Sequence, residues 1–125
     1  RYVEGTAAER EAGGQVVGLI DHGETVMGVI EANCTYRHGH DEHEAYARMV
    51  TKGSWIVETD GVMRDLSDVP RGRPDWTEDN PAQAARDFAA ANPAFRIEQP
   101  AWPFNESTLT DNITHWPDAW LRRIA

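Results

Sequence analysis

Residues 24–31 read ETVMGVIE, a nearly continuous apolar run bounded by polar turns. Such a run is typical of a parallel strand that is covered on both faces. A second β-prone run, SWIVE, follows at residues 54–58. Between them, Asp41 as N-cap and Glu44 as its capping-box partner predict a helix over about 42–51. Strand, helix and strand together predict one right-handed βαβ unit with two neighbouring parallel strands.

The second half of the chain predicts one more helix and two more strands. Asn80-Pro81 with Gln83 predicts a capped helix that runs to about residue 91. Alternating apolar and polar residues predict an edge strand at 94–99, and residues 119–124 predict a last strand. The sequence therefore predicts a single domain over residues 1–125, of the α/β class with a mostly parallel sheet.

The remaining segments give weaker patterns. Residues 60–79 are broken by Gly and Pro and predict a long loop, which in compact domains is usually functional or disordered. Near the amino end, residues 2–4 predict a strand end and residues 15–20 a short helix.

The composition excludes several classes of protein. With 21 acidic against 12 basic residues the net charge is −9, which disfavours a nucleic-acid partner because such binding needs clustered positive charge. No apolar stretch approaches the roughly 20 residues of a membrane span. The single cysteine, Cys34, cannot form an internal disulfide, so we expect a protein of the reducing cytoplasm.

Acidic residues follow both strands of the predicted βαβ unit. In open α/β sheets, ligands collect outside the carboxyl ends of the strands, where Glu31 and Glu58 stand. On neighbouring strands their Cα atoms would be about 5 Å apart. Two carboxylates that close repel unless a cation intervenes, so Mg²⁺ is a natural third party and Asp60 could add an oxygen. The alternative is that each acid caps the loop or helix that follows.

Three histidines, His38, His40 and His43, lie in the segment after Glu31. Imidazole suits Zn²⁺ and Fe²⁺, so these residues could form a transition-metal site, although a solvated loop entering a helix has the same composition. His38 alone could act as a general base near neutral pH, because its loop would overhang the crevice.

Several short motifs occur in the same order as in one known family. They are residues 26–33, Thr35, His38, residues 44–47, residues 53–58, Asn80-Pro81 with Ala84 and Phe88, residues 92–95 and residues 120–124. Over about residues 24–124 the chain thereby resembles the cephalosporin hydroxylase and rhamnosyl O-methyltransferase-like group of S-adenosylmethionine-dependent methyltransferases. The resemblance implies a Rossmann-like fold and a role in making natural products such as antibiotics.

The resemblance also assigns residues to a metal and to the cofactor. It places a divalent ion on Glu31, Glu58 and Thr59, with Asp60 as a substitute for Thr59, because the family has a second acid at that position. Glu31 stands where Asp is usual, and Cys34 stands where His is common. Glu4, Gly5 and Thr6 resemble the segment that flanks the adenine. The cofactor turn is not found, so we expect it upstream or on a partner chain.

The leading hypothesis is an S-adenosylmethionine-dependent, Mg²⁺-assisted O-methyltransferase acting on a hydroxyl of a small natural product or sugar. In it, His38 or the Glu31 carboxylate takes the proton. We expect a homo-oligomer, or a heteromer with a cofactor-binding chain. The alternatives are a non-catalytic methyltransferase-like partner subunit, and a metal-dependent oxygenase or hydrolase that uses His38, His40 and His43.

Overall fold

The computed structural model describes residues 3, 5, 9–31 and 33–125. The helices are α1 (Arg10–Val17), α2 (Tyr36–Tyr46) and α3 (Pro81–Ala91), and the strands are β1 (Gly28–Ile30), β2 (Trp55–Glu58), β3 (Phe95–Ile97) and β4 (Trp120–Arg123). Three short 3₁₀ helices lie at Ala47–Met49, Gly61–Asp65 and Pro74–Thr77. No helix in these residues is long and apolar enough to cross a membrane.

The four strands form one sheet in the order β1-β2-β4-β3. β1 and β2 are parallel neighbours, as predicted, with Gly28 opposite Ile56. β4 runs antiparallel to both β2 and β3, so three strands point one way and the strand between β2 and β3 points the other. The predicted α/β class is confirmed, and the sheet is mixed rather than continuously parallel.

One face of the sheet is covered by α2 and α3 and forms the core. Ile30, Ile56 and Leu121 are buried there against Phe88 of α3. The Phe88 ring lies 5.5 Å from that of Phe95, between ring centroids. Burial of these apolar side chains is the main force that fixes the two helices on this face.

The other face of the sheet is covered unevenly. Trp55 and Trp120 pack edge to face on it, with ring centroids 6.0 Å apart, and Val57 is buried beside them. Val29 of β1 is 60% exposed. The expectation that residues 24–31 are covered on both faces is therefore wrong within the part of the chain that the structure describes. α2 and α3 both lie on the first face, so neither covers Val29.

Helix α2 begins six residues earlier than the sequence predicts. Thr35 has an extended backbone and its hydroxyl accepts a hydrogen bond from the His38 N–H at 3.4 Å, which makes Thr35 the N-cap. Asp41 lies exposed in the middle of the helix and caps nothing. The predicted helix over 42–51 is also wrong at its end, because a 3₁₀ turn replaces the α-helix after Tyr46. His38 and His40 therefore project from a helix and not from a loop.

The other predicted elements lie close to their places. The strand at 94–99 is the edge strand β3, and that at 119–124 is β4. The loop at 60–79 contains two of the 3₁₀ helices. The short helix expected at 15–20 lies at Arg10–Val17 instead. The strand end expected at residues 2–4 cannot be compared, because Tyr2 and Glu4 lie outside the described residues.

Helix α3 has the predicted bounds and the predicted cap. Asn80 is fully buried, and its Oδ1 accepts from the Gln83 N–H at 2.9 Å while its Nδ2 donates to the Trp76 carbonyl at 2.9 Å. The reciprocal half of a capping box is not formed, since the Gln83 side chain donates to Asp87 and accepts from Arg86. Asn80 therefore joins the long loop to α3 through both ends of its amide.

Replacing Asn80 by alanine should destabilise the fold by about 2 kcal/mol. Loss of a side-chain N-cap costs about 1 kcal/mol, and the loop carbonyl that loses its buried donor adds a similar amount. Urea unfolding would measure the change, with the exposed Asn112→Ala as the matched control. Equal stability of the two variants would contradict the assigned role of Asn80.

Candidate active site

The carboxyl ends of β1 and β2 meet at one edge of the sheet. The register places Ile30, and not Glu31, opposite Glu58. The Thr59 N–H donates to the Ile30 carbonyl at 3.0 Å, which continues the ladder by one residue. Glu31 and Glu58 lie on neighbouring strands, as predicted, but they are offset by one residue along the sheet.

Glu58 is buried under α2 and is not open to the crevice. Its side chain is 5% exposed. A Cβ placed on Gly39 would stand 3.2 Å from Glu58 Oε1, which is tighter than an ordinary contact, so the glycine lets the helix pass close over the carboxyl without displacing it. Burial, reinforced by the charges of Glu42 and Asp60, raises the pKa of Glu58 to about 9. Glu58 is thus a neutral carboxylic acid at neutral pH.

His43 is the partner of Glu58 inside the fold. It is fully buried, its ring packs on Phe88, and its Nδ1 lies 3.4 Å from Glu58 Oε2. The same nitrogen is 2.7 Å from the Gly39 carbonyl, which can only accept, so Nδ1 carries the hydrogen. Burial lowers the pKa of His43 to about 4. The two side chains therefore form a neutral contact and not an ion pair.

Cys34 and Asp60 lie next to each other in the two loops that follow β1 and β2. Both have left-handed backbones, with φ of 49° and 58°. The Cys34 thiol donates to Asp60 Oδ2 at 3.5 Å. Burial, with Asp60 adding to it, raises the pKa of the Cys34 thiol, so this cysteine remains protonated and is not an activated nucleophile.

His38 stands on the first turn of α2, close to the carboxyl end of β1. It lines a cleft of about 150 Å³ together with Asn33, Thr35, Arg37 and Asp41. Its Nε2 lies 3.5 Å from Oε1 of Glu42, one turn along the helix. Glu42 is not among the site residues predicted from the sequence, although its spacing of four residues from His38 was the available signal.

The three histidines of α2 do not converge. Each residue advances about 100° around a helix, so His38 and His40 point to nearly opposite sides. His40 stacks on Tyr36 with ring centroids 5.9 Å apart, while His43 is buried beside Phe88. The geometry does not assemble the transition-metal site considered for these three residues.

The protein thus combines a four-stranded α/β sheet with a cleft, lined by His38, near the carboxyl end of β1. A family model described as rhamnosyl O-methyltransferase/CmcI matches residues 1–124. The chain belongs to this family. No curated protein and no solved structure gives a significant match. Membership confirms the resemblance read from the motifs and supports an O-methyltransferase.

Methyltransferases of this kind use S-adenosylmethionine in general. Of the three residues expected to flank the adenine, the structure describes only Gly5, whose backbone has φ of +150°. A Cβ at this position would stand 3.4 Å from that of Ala12, so residue 5 packs against the start of α1. Glu4 and Thr6 lie outside the described residues, and the three assignments stay predictions.

The divalent-metal site that the resemblance implies would lie on the acids at this edge of the sheet. Glu31 is exposed, Glu58 is buried under α2, and Asp60 accepts from Cys34. The described residues contain no group of three or more His, Cys, Asp or Glu that could hold a metal ion. As arranged here, Glu31, Glu58, Thr59 and Asp60 do not fit a divalent ion.

Proposed function

We propose that the chain forms the acceptor-side part of an S-adenosylmethionine-dependent O-methyltransferase that acts on a hydroxyl of a small natural product or sugar. The observation that carries the proposal is the family match over residues 1–124. The cleft beside His38 supports it, because open α/β sheets bind ligands outside the carboxyl ends of their strands.

The reaction needs a group that removes the proton of the acceptor hydroxyl. S-adenosylmethionine, when bound, supplies the methyl group. The methyl group would pass to the acceptor oxygen, and the electron pair of the broken carbon–sulfur bond would stay on sulfur. His38 takes the hydroxyl proton, since imidazole accepts protons near neutral pH. Glu31, exposed at the end of β1, is the second candidate for this role.

The size of the cleft favours recognition of one end of the acceptor. A volume of about 150 Å³ is smaller than the roughly 300–1,000 Å³ of sites that enclose a whole drug-sized ligand. Thr35, Asn33 and Asp41 offer hydrogen-bonding groups around it. These polar groups suit a sugar or a hydroxylated ring.

The proposal does not run through a divalent ion, because the acids at the sheet edge do not fit one. Methyl transfer that survives a chelator would agree with this arrangement. Activity that is lost with the chelator and restored by Mg²⁺ would contradict it.

Calorimetry with S-adenosylhomocysteine, followed by an assay for transfer of labelled methyl groups to hydroxylated natural products and sugars, tests the proposal. We expect binding and transfer by the chain together with whatever residues or partner chain supply the cofactor turn. A folded protein that shows neither, with that part present, would disprove the catalytic function.

A non-catalytic partner subunit is the second candidate. Two observations favour it: Thr59 stands where the family has its second acid, and Glu58 is buried as a neutral acid beside His43. Native mass measurement distinguishes the two functions. A stable heteromer with a second, catalytically competent methyltransferase chain would support the partner function, whereas turnover that depends on His38 would exclude it.

A further inference from the structure

Glu42 and His38 form a pair on one side of helix α2. They are four residues apart, and His38 Nε2 lies 3.5 Å from Glu42 Oε1. The Glu42 side chain is 4% exposed and the His38 side chain 24% exposed. The carboxyl is therefore held inside the protein while the ring reaches the cleft.

Burial of Glu42 is unfavourable unless the carboxyl has a partner. Its Oε2 is buried with no hydrogen-bond partner among the described residues, so Oε1 and His38 make its polar contact. Burial raises the pKa of Glu42, and the charge and hydrogen bond of His38 act against that rise. A buried acid with this single contact is suited to hold the histidine in one orientation.

We infer that Glu42 is the positioning residue of His38: it accepts the hydrogen of His38 Nε2 and so leaves Nδ1 as the nitrogen that takes the acceptor's proton. The inference rests on the proposed function for its last step. An ionised Glu42 can only accept, so the neutral ring beside it carries its hydrogen on Nε2 and its lone pair on Nδ1. A protonated Glu42 would donate to Nε2 and give the opposite tautomer. When Nδ1 gains the proton, the carboxylate also stabilises the resulting imidazolium.

The test uses Glu42→Met in the full chain, with Glu44→Met as the matched control. Methionine has a similar length and no charge, and it is tolerated in buried sites. Glu44 is an exposed acid on the same helix, so its loss changes the net charge equally. Nitrogen chemical shifts of labelled histidine report the tautomer, and comparison with His38→Gln assigns the His38 signal among the five histidines.

We expect wild-type His38 to show hydrogen on Nε2, and the Nδ1–H form to increase in Glu42→Met but not in Glu44→Met. In the methyl-transfer assay, kcat should fall by about 10–100-fold in Glu42→Met, the range for loss of an orienting partner, with KM nearly unchanged. A purely structural role for Glu42 would not separate kcat from KM in this way.

Two outcomes would overturn the inference. The first is hydrogen on Nδ1 in the wild type, a result that needs no variant and so holds even if Glu42→Met fails to fold. The second is an unchanged tautomer in folded Glu42→Met. Because the tautomer is measured without turnover, an inactive protein with the expected tautomers would count against the proposed function and leave the positioning role of Glu42 intact.

Discussion

Replacing His38 by glutamine is expected to lower kcat for methyl transfer by about 10²–10⁴-fold, the usual contribution of a positioned general base. Glutamine fills a similar volume and forms hydrogen bonds, but it does not accept a proton at neutral pH. Binding of S-adenosylhomocysteine should change little, because His38 lines the acceptor cleft and not the segment expected to flank the adenine. Steady-state assays and calorimetry on the same preparation would measure both effects.

The matched control for this variant is His40→Gln. His40 lies on the same helix, but it stacks on Tyr36 and does not line the cleft beside His38. It should retain wild-type kcat. If both variants lose activity equally, or if His38→Gln keeps it, the proton acceptor is another group, with Glu31 the next to test.

The second large effect is a loss of stability at alkaline pH caused by Glu58. Its pKa is near 4.5 in an unfolded chain and about 9 in the fold, so the folded state holds the proton more tightly. This contribution is fully present below pH 4.5 and is lost as the pH rises towards 9. The loss amounts to about 1.4 kcal/mol per pH unit.

His43 contributes with the opposite sign and over a lower range of pH. Its pKa falls from 6.5 to about 4 on folding, so its contribution is present above pH 6.5 and is lost as the pH falls towards 4. Between pH 4.5 and 6.5 the two groups oppose each other. From pH 6.5 to 9 His43 no longer contributes, and the contribution of Glu58 to the stability of the wild type should fall by about 3 kcal/mol.

Glu58→Gln removes this dependence, because an amide cannot ionise. The free energy of unfolding of the variant, relative to wild type, should increase by about 3 kcal/mol from pH 6.5 to pH 9. Urea unfolding across this range measures it. Glu31→Gln, an exposed acid at the end of the neighbouring strand, should follow the wild type. A wild type with no loss of stability over this range would show that Glu58 is already ionised in the fold.

The βαβ unit, helix α3 and the family could be predicted because their signals are local. Asn80 and Pro81 specify the start of α3 through a side-chain acceptor and a fixed backbone angle, and both act within one turn. The start of α2 was misplaced because Thr35 and Asp41 are both good N-caps in sequence. The structure uses Thr35, whose backbone is extended and whose hydroxyl accepts from the His38 N–H.

The sequence by itself determined that two strands end in acids beside a histidine-bearing segment, since composition, hydrophobic period and motif order are properties of the chain alone. Only the tertiary structure decided what those residues do. The register of the two strands put Ile30, and not Glu31, opposite Glu58. The approach of α2 over Gly39 then buried Glu58 against His43 and left His38, held by Glu42, facing the cleft. Register and burial depend on contacts between distant segments, and such contacts set both the neighbours and the protonation of a side chain.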